Sequence, residues 1–165
     1  MPQPPLVVVM GVSGSGKSTI GELLATGLGV PFIDADDLHP ITNVDKMTAG
    51  VPLTDEDRWP WLAKVGRALA EAETTGAVVA CSALKRSYRD AIRAEAPSAE
   101  FVYLEGSREL LASRLGHREG HFMPATLLDS QLEALEPLGE GEAGITIGID
   151  HSPENITSTL VREFR

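Results

Sequence analysis

The sequence is poor in cysteine, in aromatic residues and in basic charge, and each shortage excludes a class of protein. A single cysteine, Cys81, among 165 residues cannot form an internal disulfide framework or a cysteine-cluster metal site. Lysine and arginine number 14 against 24 aspartates and glutamates, and this net charge of −10 argues against nucleic acid as the main partner. Because only 5% of the residues are aromatic, a base-stacking surface for single strands is also disfavoured.

Long hydrophobic runs are absent as well. No stretch approaches the roughly 20 apolar residues of a membrane helix, and the N-terminal residues lack the cationic region of a secretion signal. We therefore expect a soluble, cytoplasmic protein without a membrane partner. The length and a hydrophobic content of 42% predict one domain, residues 1–165, with a core of its own. The negative net charge still permits a small anionic ligand, which a local cluster of lysines and arginines can hold.

The hydrophobic pattern alternates between short β-branched runs and amphipathic helical stretches. The predicted strands cover residues 6–10, 32–33, 77–81, 101–104 and 145–147. Strands that alternate with helices indicate an α/β fold, a five-stranded parallel sheet flanked by helices. Prolines and a glycine interrupt the pattern after the second strand, so residues 38–58 are predicted to be irregular. Pro60 suits the first turn of the helix that follows them.

The first predicted strand leads into a glycine-rich segment that fits the phosphate-binding pattern G-x-x-x-x-G-K-[ST], and an amphipathic helix follows it. Glycines allow successive backbone N–H groups to point into one concavity, and the helix N-terminus adds positive charge. Lys17 is predicted to reach the β- and γ-phosphates, and the Ser18 hydroxyl to ligate Mg²⁺. The predicted nucleotide-binding residues are Gly11, Ser13, Gly14, Ser15, Gly16, Lys17, Ser18 and Thr19.

Other nucleotide-binding classes fit this segment less well. A dinucleotide fingerprint that starts at Gly14 requires a small residue where Thr19 stands. The glycine loop of protein kinases is not followed directly by a lysine. The third strand ends in Ala80-Cys81-Ser82, without the carboxylate found there in motor-type ATPases. A compact phosphotransferase that acts on a small molecule is the class that remains.

Three acidic residues follow the second predicted strand. Asp34 and Asp36 occupy alternate positions of an extended segment, so both can face one cleft at the carboxyl edge of the sheet. Phosphoryl transfer to a hydroxyl needs one carboxylate to orient the hydroxyl or accept its proton, and often another near the metal. The alternative is that Asp36 or Asp37 merely caps a helix. We assign no role to Asp37.

Several segments beyond the phosphate-binding loop carry a resemblance to a known family. They are Asp34-Ala35-Asp36-Asp37-Leu38-His39-Pro40, Asp57-Arg58 with Pro60-Trp61-Leu62, Cys81-Ser82-Ala83-Leu84-Lys85-Arg86, Tyr88-Arg89-Asp90 and Arg118-Glu119-Gly120-His121-Phe122. With the phosphate-binding loop they span most of the chain from residue 7 to about 136. Together they resemble gluconate kinases, which belong to the shikimate/adenylate-kinase-like branch of P-loop kinases.

The resemblance implies ATP-dependent phosphorylation of D-gluconate at its 6-hydroxyl to give 6-phospho-D-gluconate. It also implies ATP and Mg²⁺ as cofactors, a homodimer, a substrate-binding segment near 38–70 and a mobile lid near 114–124. By position, Asp36 and Lys17 would be the catalytic residues, with Asp36 as the base. The implied metal-binding residues are Ser18 and Asp34. The implied substrate-binding residues are Asp36, His39, Arg58, Lys85, Arg89 and His121, and the implied phosphate-binding arginines of the lid are Arg114 and Arg118.

Plainer interpretations of some of these residues stay open. Arg58 can pair with Asp55 or Asp57 on a surface turn. Lys85 and Arg89 are four residues apart, so they share a helix face that solvent can cover. Two other functions also stay open: a kinase for another small hydroxy-acid such as shikimate, and a non-catalytic regulator that binds a nucleotide. ADP release with a panel of acceptors distinguishes these functions.

Overall fold

A computed structural model describes residues 4–116 and 125–164 of the protein, with the side chains of residues 115, 116 and 125–127 left out. Strands and helices alternate along these residues, as the sequence predicts. The strands are β1 Leu6–Met10, β2 Phe32–Asp34, β3 Ala77–Ala80, β4 Glu100–Glu105 and β5 Gly144–Gly148. The helices are α1 Lys17–Leu28, α2 Ile41–Thr48, α3 Asp55–Glu71, α4 Arg86–Glu95, α5 Arg108–Gly116, α6 Ala125–Ala134 and α7 Pro153–Phe164.

The five strands form one parallel sheet in the order β2-β3-β1-β4-β5. The first strand is therefore central, and all five of its residues are buried. Val8 lies between Val79 of β3 and Phe101 of β4, which fixes the register across the middle of the sheet. This arrangement confirms the predicted α/β fold. It also places the loops that follow β1, β2 and β3 side by side at the carboxyl edge, where ligands bind in such sheets.

Each face of the sheet has a hydrophobic core of its own. Side chains alternate along a strand, so Val8 and Met10 point to one face while Val7 and Val9 point to the other. On the first face Trp61 and the rest of the apolar stripe of α3 pack against the sheet. The second face is covered by apolar side chains from α1, α5, α6 and α7. The sheet is therefore covered on both sides, as a parallel sheet requires.

The prediction of an irregular segment at 38–58 is wrong, because the segment contains helix α2 and the start of α3. Thr54 and Asp57 form a capping box: the Thr54 hydroxyl accepts the Asp57 N–H at 3.2 Å, and Asp57 Oδ2 accepts the Thr54 N–H at 2.9 Å. The box starts the helix at Asp55, so Pro60 lies inside α3 rather than in its first turn. Burial of Trp61 and Leu62 directly after the proline offsets the backbone hydrogen bond that the proline cannot make.

The longest of the helices is α3, with 17 residues, and it begins with three acidic residues. Within residues 4–116 and 125–164, no helix has the length and apolar character needed to cross a membrane.

Candidate active site

The loop between β1 and α1 forms a cradle of backbone N–H groups. Gly14 and Gly16 have positive φ angles of 86° and 92°, which a glycine adopts without strain and which turn the amides toward one concavity. No side chain caps α1 at Gly16 and no acidic residue occupies its first turn, so the helix N-terminus can receive an anion. Lys17 Nζ donates to the carbonyl of Val12 at 3.1 Å, across the base of the loop. The cradle therefore has the shape and charge for a polyphosphate.

One amide of the cradle has a partner that the sequence did not reveal. The Ser13 N–H donates to Oε1 of Gln131 at 2.7 Å, although the two residues are 118 positions apart. Gln131 belongs to α6, which follows the segment predicted as a lid. The bond ties the post-lid helix directly to the phosphate-binding loop.

A cavity of about 190 Å³ opens beside the cradle. Gly14, Gly16 and Thr19 line one side of it, and Arg114 lies among its lining residues. Arg114 donates to the backbone carbonyl of Ile149 at 2.5 Å, which holds the guanidinium at the cavity. The remaining lining residues are Ser15, Ile20, His151, Pro153 and Ile156. With apolar groups from the start of α7 and phosphate-facing amides from the loop, the cavity suits a nucleoside phosphate.

Two carboxylates lie at the end of β2: Asp34 is its last residue, and Asp36 interacts electrostatically with Lys17 of the cradle. Asp34 Oδ1 accepts the backbone N–H of Asp36 at 3.0 Å, so Asp34 caps a 3₁₀ turn over Ala35–Leu38. The capping acid is therefore Asp34, and the alternative in which Asp36 or Asp37 caps a helix is wrong. Desolvation by the surrounding protein raises the pKa of Asp36, and the Asp34 carboxylate raises it further, whereas His39 and Lys17 lower it. A carboxylate with a raised pKa beside a lysine is suited to take a proton.

His39 is held in place by aromatic stacking and a hydrogen bond. Its ring stacks on Trp61 with centroids 4.1 Å apart, and its Nδ1 lies 3.2 Å from Nδ2 of Asn43. Trp61 is itself fixed, because its indole N–H donates to the carbonyl of Ala35 at 2.7 Å. Burial lowers the pKa of His39; Asp36 opposes this effect and Arg58 adds to it. At neutral pH the ring is therefore an uncharged, oriented hydrogen-bonding group.

Tyr88 is the centre of a second polar cluster, which contains Arg58 and Lys85. The guanidinium of Arg58 lies 5.5 Å and the ammonium of Lys85 5.6 Å from the Tyr88 ring centroid. The Tyr88 hydroxyl donates to Asp55 at 2.6 Å, and Arg58 also lies 3.6 Å from Asp55. Burial and the bond to Asp55 raise the pKa of Tyr88 to about 12, so the hydroxyl keeps its proton. We call Asp55, Arg58, Lys85 and Tyr88 the acceptor cluster.

Sequence reasoning expected Arg58 and Lys85 near a substrate but did not identify Asp55 or Tyr88 as their partners. The pairing of Arg58 with Asp55 was one of the alternatives left open, and the structure contains it. Asp57, the other possible partner, instead binds Lys46 at 2.7 Å. Because acidic residues stand directly before Arg58, the sequence alone does not show which of them pairs with it.

Arg89 lies outside the acceptor cluster, although the family resemblance implies a substrate-binding role for it. It is fully buried, and its side chain binds Glu142 through Nε at 2.7 Å and through a terminal nitrogen at 3.0 Å. Its remaining N–H groups donate to the carbonyls of Ala83, Leu84 and Pro137. The alternative of a solvated helix face is also wrong for this residue, because it is buried. The structure leaves no donor of Arg89 for a substrate, so we do not include it in the substrate-binding set.

Two predicted residues and most of the predicted lid lie outside the described residues. Arg118 and His121 fall in the stretch 117–124, as does the lid predicted for 114–124 except for its first three residues.

The residues predicted to hold a metal carry hard oxygen donors. Ser18 is exposed in the first turn of α1, and Asp34 ends β2 near the same cleft. Mg²⁺ prefers oxygen ligands and usually takes one or two from the protein, with phosphate oxygens and waters completing its shell. Ser18 and Asp34 therefore fit a magnesium ion carried by a nucleotide. Across residues 4–116 and 125–164, no group of three or more histidine, cysteine, aspartate or glutamate side chains is arranged to bind a metal.

A phosphate cradle after the central strand of a parallel sheet, with carboxylates at the end of the edge strand β2 on the same edge of the sheet, is typical of a P-loop kinase. The chain matches the Shikimate kinase family over residues 13–164. It is 49% identical to a gluconokinase of Gluconobacter oxydans over 99% of this chain and 93% of that protein. It is 47% identical to the thermosensitive gluconokinase of Escherichia coli over 91% of this chain and 82% of that protein.

One solved structure supports the same assignment, and a second shows the fold. A gluconokinase from Sinorhizobium meliloti superposes with a TM-score of 0.87 at 50% identity, covering 98% of this chain and 91% of that one. Shikimate kinase from Aquifex aeolicus shares the fold, with a TM-score of 0.63 at 16% identity over 95% of this chain and 94% of that one. The chain therefore belongs to the shikimate kinase family, and its relatives at 47–50% identity are gluconokinases.

Proposed function

We propose that the protein transfers the γ-phosphoryl group of ATP to the 6-hydroxyl of D-gluconate, giving ADP and 6-phospho-D-gluconate. The observation that carries the proposal is the Asp36 carboxylate, electrostatically coupled to Lys17 at the edge of the phosphate cradle. The names of the relatives supply the acceptor, because proteins 49% and 47% identical to this chain are gluconokinases. A base beside a phosphate site is what transfer to an alcohol requires.

In the proposed mechanism the cradle amides from Gly14 to Thr19 and the Lys17 ammonium hold the β- and γ-phosphates. Asp36 orients the acceptor hydroxyl and takes its proton as the oxygen attacks phosphorus. Ser18 and Asp34 would hold a magnesium ion, which would supply charge neutralisation at the phosphates. Arg114, already at the nucleotide cavity, stabilises the charge that develops on the transferred group.

The acceptor is a carboxylate with a chain of hydroxyls, so its site needs cations together with polar donors. We propose that Arg58 and Lys85 of the acceptor cluster bind the carboxylate and that His39 binds a hydroxyl. His39 interacts electrostatically with both Asp36 and Arg58, and Arg58 and Lys85 both lie over the Tyr88 ring, which supports a common acceptor site. We propose Arg118 as a further phosphate contact and His121 as a further acceptor contact, from their positions in the family pattern.

We also propose that the protein acts as a single kinase domain, in the cytoplasm and as a homodimer. Helix α2 and Val51, three residues beyond its end, expose an apolar stripe, Ile41, Val44, Met47 and Val51, with exposures of 75%, 42%, 45% and 47%. A stripe of this kind is suited to burial against a second copy. Analytical ultracentrifugation of the wild-type protein and of Ile41→Glu tests the dimer: a monomeric wild type would contradict it.

The decisive experiment measures ADP release with Mg-ATP and a panel of acceptors: D-gluconate, related aldonates, glucose and shikimate. We expect release with gluconate and none with Lys17→Ala, because the phosphates lose their cation. Asp36→Asn is expected to lower turnover by roughly 10²–10⁴-fold with nearly unchanged ATP binding.

Release with shikimate rather than gluconate would keep the kinase and replace its acceptor. ATP binding without release for any acceptor would support a non-catalytic regulator instead. Unchanged turnover in Asp36→Asn would remove Asp36 from the role of base.

A further inference from the structure

The buried Arg89 side chain uses every hydrogen-bond donor it has. Two donors bind the two carboxylate oxygens of Glu142, at 2.7 and 3.0 Å. The other three bind backbone carbonyls: Ala83 at 2.9 Å, Leu84 at 3.3 Å and Pro137 at 3.3 Å. An arginine has five N–H groups in a fixed planar fork, so one side chain clamps two loops at once. We call this arrangement the Arg89 clamp.

The clamp acts on a loop with an unusual backbone. Ala83 has φ of +43°, and among the described residues it alone has a positive φ without being a glycine. An alanine enters the left-handed region at a cost, and such a conformation persists where surrounding contacts hold it. The Arg89 guanidinium donates hydrogen bonds to the carbonyl of this residue and to that of Leu84, the next residue. On the other side, the Gly11 N–H donates to the Ser82 carbonyl at 3.3 Å. The turn is thus held between the clamp and the phosphate-binding loop.

The conformation of this turn places the Lys85 ammonium beside the other members of the acceptor cluster. Lys85 is the residue before α4, and its ammonium lies over the Tyr88 ring within the cluster that contains Arg58. If Ala83 relaxed to an ordinary φ, the chain direction after it would change and Lys85 would leave the ring. The position of this ammonium therefore depends on a backbone conformation that Arg89 stabilises from inside the core.

We propose that Arg89 is a positioning residue for acceptor binding, which holds the Ser82–Lys85 turn so that Lys85 can meet the anionic acceptor. This inference deepens the proposed function and rests on it. Arg89 itself touches no substrate. Its loss should weaken acceptor binding while leaving the nucleotide cavity, on the β4–β5 side of the sheet, unaffected.

The test compares Arg89→Lys with Arg93→Lys. Arg93 binds the same Glu142 carboxylate, at 2.8 Å, but the structure gives it no contact with the turn carbonyls. A lysine at position 89 has a single nitrogen, which cannot bond both Glu142 oxygens and both turn carbonyls at the same time. We expect Arg89→Lys to raise KM for gluconate roughly tenfold while KM for ATP stays within about twofold. Arg93→Lys should change neither constant.

A second variant separates positioning from simple damage to the fold. Glycine adopts the left-handed conformation without cost, so Ala83→Gly in the Arg89→Lys background should recover part of the lost acceptor affinity. Equal effects of the two lysine variants, a joint rise of both KM values, or no recovery in the double variant would each overturn the proposal. If Arg89→Lys does not fold, Glu142→Asp replaces it under the same criteria, since the shorter side chain breaks the two-point contact.

Failure of the proposal can be told from failure of the proposed function. The wild-type protein is assayed first on the acceptor panel. If it phosphorylates a different acid, the same two constants are measured with that acid, and the same split between acceptor and ATP is expected.

Discussion

Glu142→Gln is expected to destabilise the protein strongly, whereas Asp129→Asn, the same chemical change, should have little effect. Both carboxylates bind an arginine through two contacts: Arg89–Glu142 at 2.7 and 3.0 Å, and Arg108–Asp129 at 2.5 and 3.1 Å. The pairs differ in burial. The side chains of the first are 0% and 1% exposed, and those of the second 49% and 50%. The comparison therefore isolates the effect of burial on one type of ion pair.

The size of the expected stability loss follows from the groups that the NH₂ group of the new glutamine would face. Each Glu142 oxygen accepts more than one hydrogen bond: Oε1 from Arg89 and Arg93, Oε2 from Arg89 and the Gly139 N–H. An NH₂ group at either place faces donors, and the Arg89 charge stays buried without its counter-charge. Breaking a buried pair in this way costs about 3–5 kcal/mol. At about 2–4 °C per kcal/mol for a domain of this size, Tm should fall by roughly 6–20 °C.

The loss should also depend on pH. Burial by itself raises the pKa of Glu142, but hydrogen bonds from Arg89, the Gly139 N–H and Arg93 outweigh burial and bring the pKa to about 2. A folded-state pKa below the ordinary value of 4.5 means that the ionised group stabilises the fold above about pH 4.5. This stabilisation is lost as the pH falls from about 4.5 to about 2. The difference between wild type and Glu142→Gln should therefore shrink in acid.

Urea denaturation followed by circular dichroism, at pH 7 and pH 3, measures both effects. The free energy of unfolding is compared among the wild type, Glu142→Gln and Asp129→Asn at each pH. If the two variants lose equal stability at pH 7, or if the Glu142→Gln deficit is the same at both pH values, the reasoning from burial is refuted.

Three further predictions follow from the geometry. Asp34→Asn should lower the pKa of Asp36, because the Asp34 carboxylate raises it, and the acid limb of kcat should move to lower pH; an unmoved limb contradicts the coupling. Cys81 is 1% exposed and its burial raises the pKa to about 12, so a disulfide reagent should react with it only after unfolding; rapid reaction of the native protein would show otherwise. Thr54→Ala should lower the free energy of unfolding by about 1 kcal/mol through loss of the cap, measured by urea denaturation; an unchanged free energy of unfolding would contradict the role of the cap.

The parts of the fold that sequence reasoning predicted are those with a local pattern. The run Leu6–Met10 is continuously apolar because the central strand is buried on both faces, and the glycine–lysine pattern after it needs no distant information. The five predicted strands are all present, in one parallel sheet. What the pattern could not supply was the strand order, which depends on contacts between residues far apart in the chain.

The sequence contains a signal for the start of α3, but the prolines on either side of it led to a different prediction. Thr54 stands three residues before Asp57, which is the spacing of a capping box with aspartate in place of glutamate. The prolines at 52 and 60 pointed instead to an irregular stretch with a later helix start. A proline inside a helix is costly, but the cap and the burial of Trp61 together decide the local structure.

The site could be predicted only where its residues are close in sequence. The spacing of Lys85 and Arg89 places them on one helix face, but their fates differ because Glu142 lies 53 residues away and draws Arg89 into the core. The same is true of Gln131, which reaches Ser13 across 118 positions. Such contacts are set by packing, and a single sequence carries no periodic trace of them.

The order of the strands divides the catalytic edge into two halves with separate tasks. The turns after β2 and β3, which carry Asp36 and Lys85, lie together on one side of β1, and the nucleotide cavity lies on the side of β4 and β5. Under the proposed function, we expect a change of acceptor to require substitutions within residues 35–58 and 82–86, with the nucleotide side kept. In this proposed division the side of β1, β4 and β5 binds the phosphate donor. The loops after β2 and β3 are then the place to engineer specificity for other acceptors.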